Sequence, residues 1–258
     1  MEYNYVQKAL YHLFQLTSTF QEARPDIFNL VLSVMEAHIG RFGVQMAATA
    51  CLYNLTRGEL SKNIHPKALR IGVNLTLFAM ETFPEEFQLQ KNSLLTLCSD
   101  RILQEVNFNR FRCAKLVLDA LCHFEDVNMN RMAVAICSIL AAKVSTEETS
   151  KLGAKPVYMK KLLAMVQSRV ESKMSDITLK FTLSALWNLT DESAATCTVF
   201  LEQGGAYLFL NVLKTFKDDS AIETKVLGKQ NIFKVHFVLY ESYCRCFNEF
   251  IETESCFA

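Results

Sequence analysis

Glycine and proline are scarce in this sequence, 8 and 4 residues among 258. So few turn residues cannot punctuate a many-stranded sheet, whose reversals depend on them. Leu, Ala, Phe and Met dominate the apolar half of the chain and favour long helices. Net charge is missing too: 27 Lys and Arg balance 27 Asp and Glu, leaving no field to draw the chain to nucleic acid or an anionic membrane surface. No window approaches the roughly 20 apolar residues that span a bilayer, and Met1-Glu2-Tyr3-Asn4-Tyr5 lacks the basic and apolar regions of a secretion signal. The expectation is a cytoplasmic or nuclear protein that binds neither nucleic acid nor membrane.

Signatures of catalysis are absent as well. The five histidines, His12, His38, His65, His123 and His236, are scattered, with no HExxH and no Cys-x-x-Cys pair. Cys244-Arg245-Cys246 has no second pair beside it, and the glycines form neither GxxxxGK[ST] nor GxGxxG. No catalytic residue, metal site or cofactor is expected. The nine cysteines sit singly in apolar stretches, as with Cys51, Cys113 and Cys137, which suits small buried hydrophobes kept reduced. Three Asn-Leu-Thr triplets, at Asn54, Asn74 and Asn188, match a glycosylation sequon, but in an unsecreted chain they read as helix sequence.

What the chain does have is self-similarity. Ala47 to Leu55 aligns with Ala133 to Ala141, and both resemble Thr182 to Leu189; a weaker copy, Ser93 to Cys98, lies between the first two. Asn54 and Leu140 are 86 positions apart, two units of about 43 residues, the period of HEAT and armadillo repeats. Each core carries apolar residues at i, i+3, i+4 and i+7 with small residues between them, so neighbouring helices pack closely and no unit buries its face alone. Ser145-Thr146-Glu147-Glu148-Thr149 reads as a polar break, and Gly204-Gly205 as a stop between two helices.

The most distinctive local feature is Ser184-Ala185-Leu186-Trp187-Asn188-Leu189-Thr190-Asp191, which contains the single Trp. On a helix Trp187 and Asp191 stand at i and i+4, with Asn188 three residues before Asp191 and Ser184 one turn earlier, so the four share one stripe. A buried carboxylate without a partner is costly. The stripe therefore fits an exposed surface, where the indole walls a pocket, Asn188 hydrogen-bonds a peptide and Asp191 holds a cation such as a free α-amine. A core Trp with Asp191 merely ending the helix fits the same spacing.

Residues 182–228, above all Ser184 to Ser193, resemble the armadillo-like region of the zygote-defective-eleven and ZER family, and residues 1–181 resemble it too. The resemblance implies a substrate receptor of cullin-2 RING ubiquitin ligases, whose armadillo repeats recognise proteins with an exposed N-terminal glycine. It assigns Trp187, Asn188 and Asp191 to the glycine pocket. The family's next repeat supplies a further Asn and Glu, where this sequence has Ile232 and Val235. The family also carries leucine-rich repeats and an adaptor-binding box ahead of its armadillo region, neither of which is seen here.

The expectation is thus an all-α, armadillo/HEAT-like helical-repeat solenoid, with repeats over 1–228 and a divergent tail over 229–258. Its expected role is a non-enzymatic module binding N-terminal-glycine degrons, with cullin-2 and elongin B/C as partners in the full-length family. The alternative is an armadillo scaffold or truncated isoform that docks a partner protein without reading its N-terminus.

Overall fold

The computed structural model describes residues 2–227, and every regular element among them is helical. The fold class is an all-α helical repeat. The divergent tail expected over 229–258 lies outside the described residues, and Ile232 and Val235 with it. The chain divides into two compact units, the first ending at Ile136 and the second starting at Cys137.

The first unit comprises α1 (Glu2–Thr17), α2 (Pro25–Ala37), α3 (Phe42–Thr56), a 3-10 turn (Gly58–Asn63), α4 (Pro66–Thr82), α5 (Phe87–Leu97), α6 (Asp100–Glu105), α7 (Arg110–His123) and the first turns of α8 (Val127–Leu140). Pro25 and Pro66 open their helices at the position where a missing N–H is harmless. Asn109 caps α7, its side chain accepting from the Arg112 N–H at 2.8 Å. Helix α3 stacks between α1 and α5 while α2 and α4 pack alongside, so consecutive repeats form two rows. The small residues of α3 explain its central place: Ala48, Thr49 and Cys51 are wholly buried, and short side chains admit neighbours on several sides at once.

The second unit holds α9 (Thr146–Gly153), α10 (Pro156–Glu171), α11 (Ile177–Thr190), α12 (Ala194–Glu202), α13 (Gly205–Thr215) and α14 (Ser220–Leu227). Helix α11 is surrounded by α9, α10, α12 and α14, and α13 packs on α10 and α14. Short, long, long is the armadillo rhythm, given by α9–α10–α11 (8, 16 and 14 residues), and α12–α13–α14 follows as the next triplet. The cores found by self-similarity fall on α3, α5, α8 and α11, one helix per repeat. The polar stretch Ser145–Thr149, expected as a break, instead starts α9: Ser145 and Glu148 form a reciprocal capping box. Gly204 makes the turn between α12 and α13 at φ 76°, and a Cβ on Gly205 would collide with the Phe200 ring.

One device recurs in the first unit and was not foreseen. The Gln45 side chain on α3 donates from Nε2 to the carbonyls of Met35 (2.8 Å) and His38 (3.0 Å) at the end of α2. Gln90 on α5 repeats this toward Met80 (2.9 Å) and Phe83 (3.0 Å) at the end of α4. Both amides are buried, 1% and 3% exposed, and both stand at the fourth position of their helix. They satisfy the Met35 and Met80 carbonyls, which the helix ends leave orphaned, and join the Arg41 and Glu86 N–H groups at the His38 and Phe83 carbonyls. Replacing Gln90 by the near-isosteric Met strips the donor from the buried Met80 carbonyl, while the half-buried Phe83 carbonyl keeps the Glu86 N–H at 3.4 Å, so Gln90→Met is expected to cost about 1–3 kcal/mol in chemical denaturation. An unchanged denaturation midpoint would show that water reaches those carbonyls instead.

Candidate functional site

The predicted stripe lies at the C-terminal end of α11. Asp176 starts that helix, accepting from the Leu179 N–H at 2.8 Å, and meets Arg169 of α10 at 3.4 Å. At the other end Asp191 is the C-cap: its backbone is extended (φ −62°, ψ 125°) and its N–H bonds the Trp187 carbonyl at 3.0 Å. Glu192 follows in the left-handed region at φ 54°, a conformation that costs a non-glycine residue energy. Ser193 then caps α12 by accepting from the Thr196 N–H. This tight reversal throws the Asp191 side chain outward.

Ser184, Trp187 and Asn188 are half-buried and Asp191 is exposed. The Asp191 carboxylate has no ion-pair partner among the described residues. Asn188 donates from Nδ2 to the Ser138 carbonyl of α8 at 2.8 Å, while its Oδ1 accepts no bond within the described residues. The amide is thus held in place by the preceding repeat, with its acceptor side left open. Trp187 is half-buried immediately before Asn188 and stands one turn before the anion.

Two further residues border this stripe, one reaching it from α14 and one buried beneath it. Lys225 of α14 donates from Nζ to the Ser184 hydroxyl at 2.5 Å, setting a cation roughly 10 Å along the helix from Asp191, seven residues at 1.5 Å rise. Cys197 donates to the Thr190 carbonyl at 3.2 Å; burial, and then the Asp191 charge, push its thiol up to about 11, so it stays protonated and unreactive near neutrality. Cys197 is one of the cysteines expected to be reduced and buried, whereas Lys225 lies 41 positions from the hydroxyl it meets and no local spacing foretells that pairing.

Lys225 is delivered by a short helix that Asp219 anchors. Oδ1 of Asp219 accepts from the Ala221 and Ile222 N–H groups at 3.1 and 3.2 Å, capping α14. Its Oδ2 receives the Ser175 hydroxyl at 2.7 Å and pairs with Lys180 of α11 at 3.0 Å. The Ser175 and Lys180 bonds hold the Asp219 carboxyl down, to about 2.

Residues 33–254 match the family profile described as "Protein zer-1 homolog-like, C-terminal domain". The chain is 31% identical over 200 residues to "Protein zer-1 homolog" of Homo sapiens, a match covering 77% of this chain and 26% of that protein. The same-named protein of Mus musculus is also 31% identical over 200 residues, covering 77% and 25%. "Zyg eleven-related protein 1" of Caenorhabditis elegans is 27% identical over 204 residues, covering 79% and 22%. The chain therefore spans about a quarter of the length of the curated relatives it matches.

The Asp219 anchor gives a prediction with a definite sign. A carboxyl depressed in the folded state contributes stability that is present above its unfolded value near 3.9 and lost as pH falls toward about 2. Asp219→Asn should speed hydrogen exchange of the amides at 221–227 at neutral pH, and the two proteins should converge as pH approaches 2. Equal exchange at neutral pH would show that the anchor does not hold α14.

Proposed function

The chain belongs to the zer-1 family, and on that premise we propose that it is a non-catalytic recognition module binding polypeptides through a free N-terminal glycine. The observation that carries this reading is the exposed, unpaired Asp191 carboxylate one helical turn from the half-buried Trp187. An α-ammonium is a compact donor of three hydrogen bonds, and an anion on a partly desolvated surface suits it. Trp187 closes the side, so that a residue without a side chain approaches most closely. The open Oδ1 of Asn188 accepts a peptide N–H, and Lys225 faces the peptide's carbonyl oxygens further along α11. The wider assembly proposed is a cullin-2 RING ubiquitin ligase with elongin B and C, in which a module of this kind selects substrates.

A second reading has one observation in its favour. The donor side of Asn188 is occupied by the Ser138 carbonyl, as a purely structural asparagine would be, and the surface then docks a partner protein without reading its terminus. Titration with a peptide beginning in free glycine and with its acetylated counterpart separates the two. Terminus recognition requires the free peptide to bind at least tenfold tighter, and Asp191→Asn to weaken it by roughly ten- to a hundredfold, the range of one lost charge-assisted hydrogen bond. Equal affinities for the two peptides would refute it and leave the scaffold.

A further inference from the structure

The turn that presents Asp191 has a structural counterpart in the first unit. Tyr53-Asn54-Leu55-Thr56-Arg57 at the end of α3 corresponds residue for residue to Trp187-Asn188-Leu189-Thr190-Asp191 at the end of α11. Arg57 is the C-cap, extended at φ −63° and ψ 141°, with its N–H on the Tyr53 carbonyl at 2.9 Å; Asp191 has the same conformation and the same bond to Trp187. A left-handed residue follows in both, Gly58 at φ 51° and Glu192 at φ 54°. Asn54 donates from Nδ2 to the Phe14 carbonyl of α1 at 3.0 Å, as Asn188 does to Ser138. The one chemical difference at the cap is the sign of the charge.

Around Arg57 lies a cavity of about 550 Å³ between the C-terminal ends of α3 and α5. Its charged lining is Arg57, Glu59, Lys62, Asp100 and Arg101, with Tyr53 as the aromatic wall. Lys62 is neutralised by Glu59 at 2.7 Å, and Arg101 by Glu105 at 3.3 Å. Arg57 has no such partner. Its Nη2 donates to the main-chain carbonyls of Ser18 (2.7 Å) and Phe20 (3.4 Å), which fixes the guanidinium without cancelling its charge, and Nε and Nη1 donate to nothing in the described residues. A fixed, half-buried guanidinium whose Nε and Nη1 are unbonded is matched by a carboxylate, which accepts a charge-assisted N–H bond from either nitrogen. Asp100, the exposed carboxylate of the lining, opposes such a ligand and does not face an ion-pair partner of its own among the described residues.

We propose that this cavity is a carboxylate subsite, in which Arg57 receives a carboxylate of a bound polypeptide, from a Glu or Asp side chain or from a chain end. It does not rest on glycine recognition, because the two turns lie in different units and hold opposite charges. The full chain is titrated with three labelled peptides, all acetylated so that no free amine takes part: an amidated glutamate-containing peptide, its amidated glutamine counterpart, and the glutamine peptide with a free C-terminal carboxylate. At least one carboxylate peptide is expected to bind about tenfold tighter than the amidated glutamine peptide. Preference for the first assigns side chains as the source, and preference for the third assigns the chain end. Arg57→Gln should abolish the difference, while Asp100→Asn should enlarge it about twofold. Equal affinity of all three peptides for the unaltered protein overturns the subsite, as does a preference that survives Arg57→Gln. Since Arg57 also ties down Ser18 and Phe20, its variant is first checked for an unchanged melting temperature; where it fails to fold, an Asp100→Asn variant that leaves the preference unmoved overturns the proposal.

Discussion

The carbonyl groups left unpaired where helices end are the constraint on which the rest of this structure depends. Helices packed in rows have their ends pressed against neighbours and away from water, and a buried carbonyl without a donor destabilises the fold by more than a typical hydrogen bond stabilises it. Long polar side chains supply the donors here. Gln45 and Gln90 reach the ends of α2 and α4, Asn188 reaches Ser138 in the last turns of α8, and Asn54 adds a further donor to the Phe14 carbonyl of α1, which also accepts from the Ser18 N–H. Polar residues at these places are as structural as the leucines around them.

That requirement shapes what remains for recognition. Along α3 and α11 the asparagine amide is committed to the preceding repeat, so it offers a ligand only its acceptor. The residue at the cap is different: its backbone has left the helix, its N–H is satisfied by the aromatic four residues earlier, and its side chain projects from the turn. Nothing in the packing fixes its charge. Asp191 and Arg57 occupy the same conformation with opposite sign, so the repeat architecture separates a constant holding device from a variable chemical group one turn away.

Much of this was legible in the sequence. Scarce Gly and Pro and a spacing near 43 residues are local or periodic signals, and the cores read at Ala47, Ser93, Ala133 and Thr182 each fall on one helix per repeat. Trp187 and Asn188 lie on the last turn of α11 with Asp191 as the cap that ends it, and the three sequon asparagines lie on α3, α4 and α11. What could not be read were the partners: Ser138 is 50 positions from Asn188, and Ser184 is 41 from Lys225. Ser145–Thr149 looked like a break because its polarity was weighed alone, although the Ser145–Glu148 spacing is itself a signal that a helix starts. The glutamine pair was overlooked because its meaning lies in its register from the helix start, which a sequence gives only to within a few residues.

The position of α14 then follows from helix physics. Its eight described residues, Ser220–Leu227, are too few to be stable as an isolated helix, because nucleation fixes several residues for each of the first hydrogen bonds. Tertiary contacts must hold it: Ile222 and Val226 bury its apolar side, and Asp219 both caps it and ties it to Ser175 and Lys180. Lys225 sits on the same short element, three residues beyond Ile222. Its reach to Ser184 is therefore conditional on a charge network one turn earlier on the same face of α11, where Lys180 precedes Ser184 by four residues, and the cation on the stripe and the carboxylate that anchors its helix form one mechanical unit.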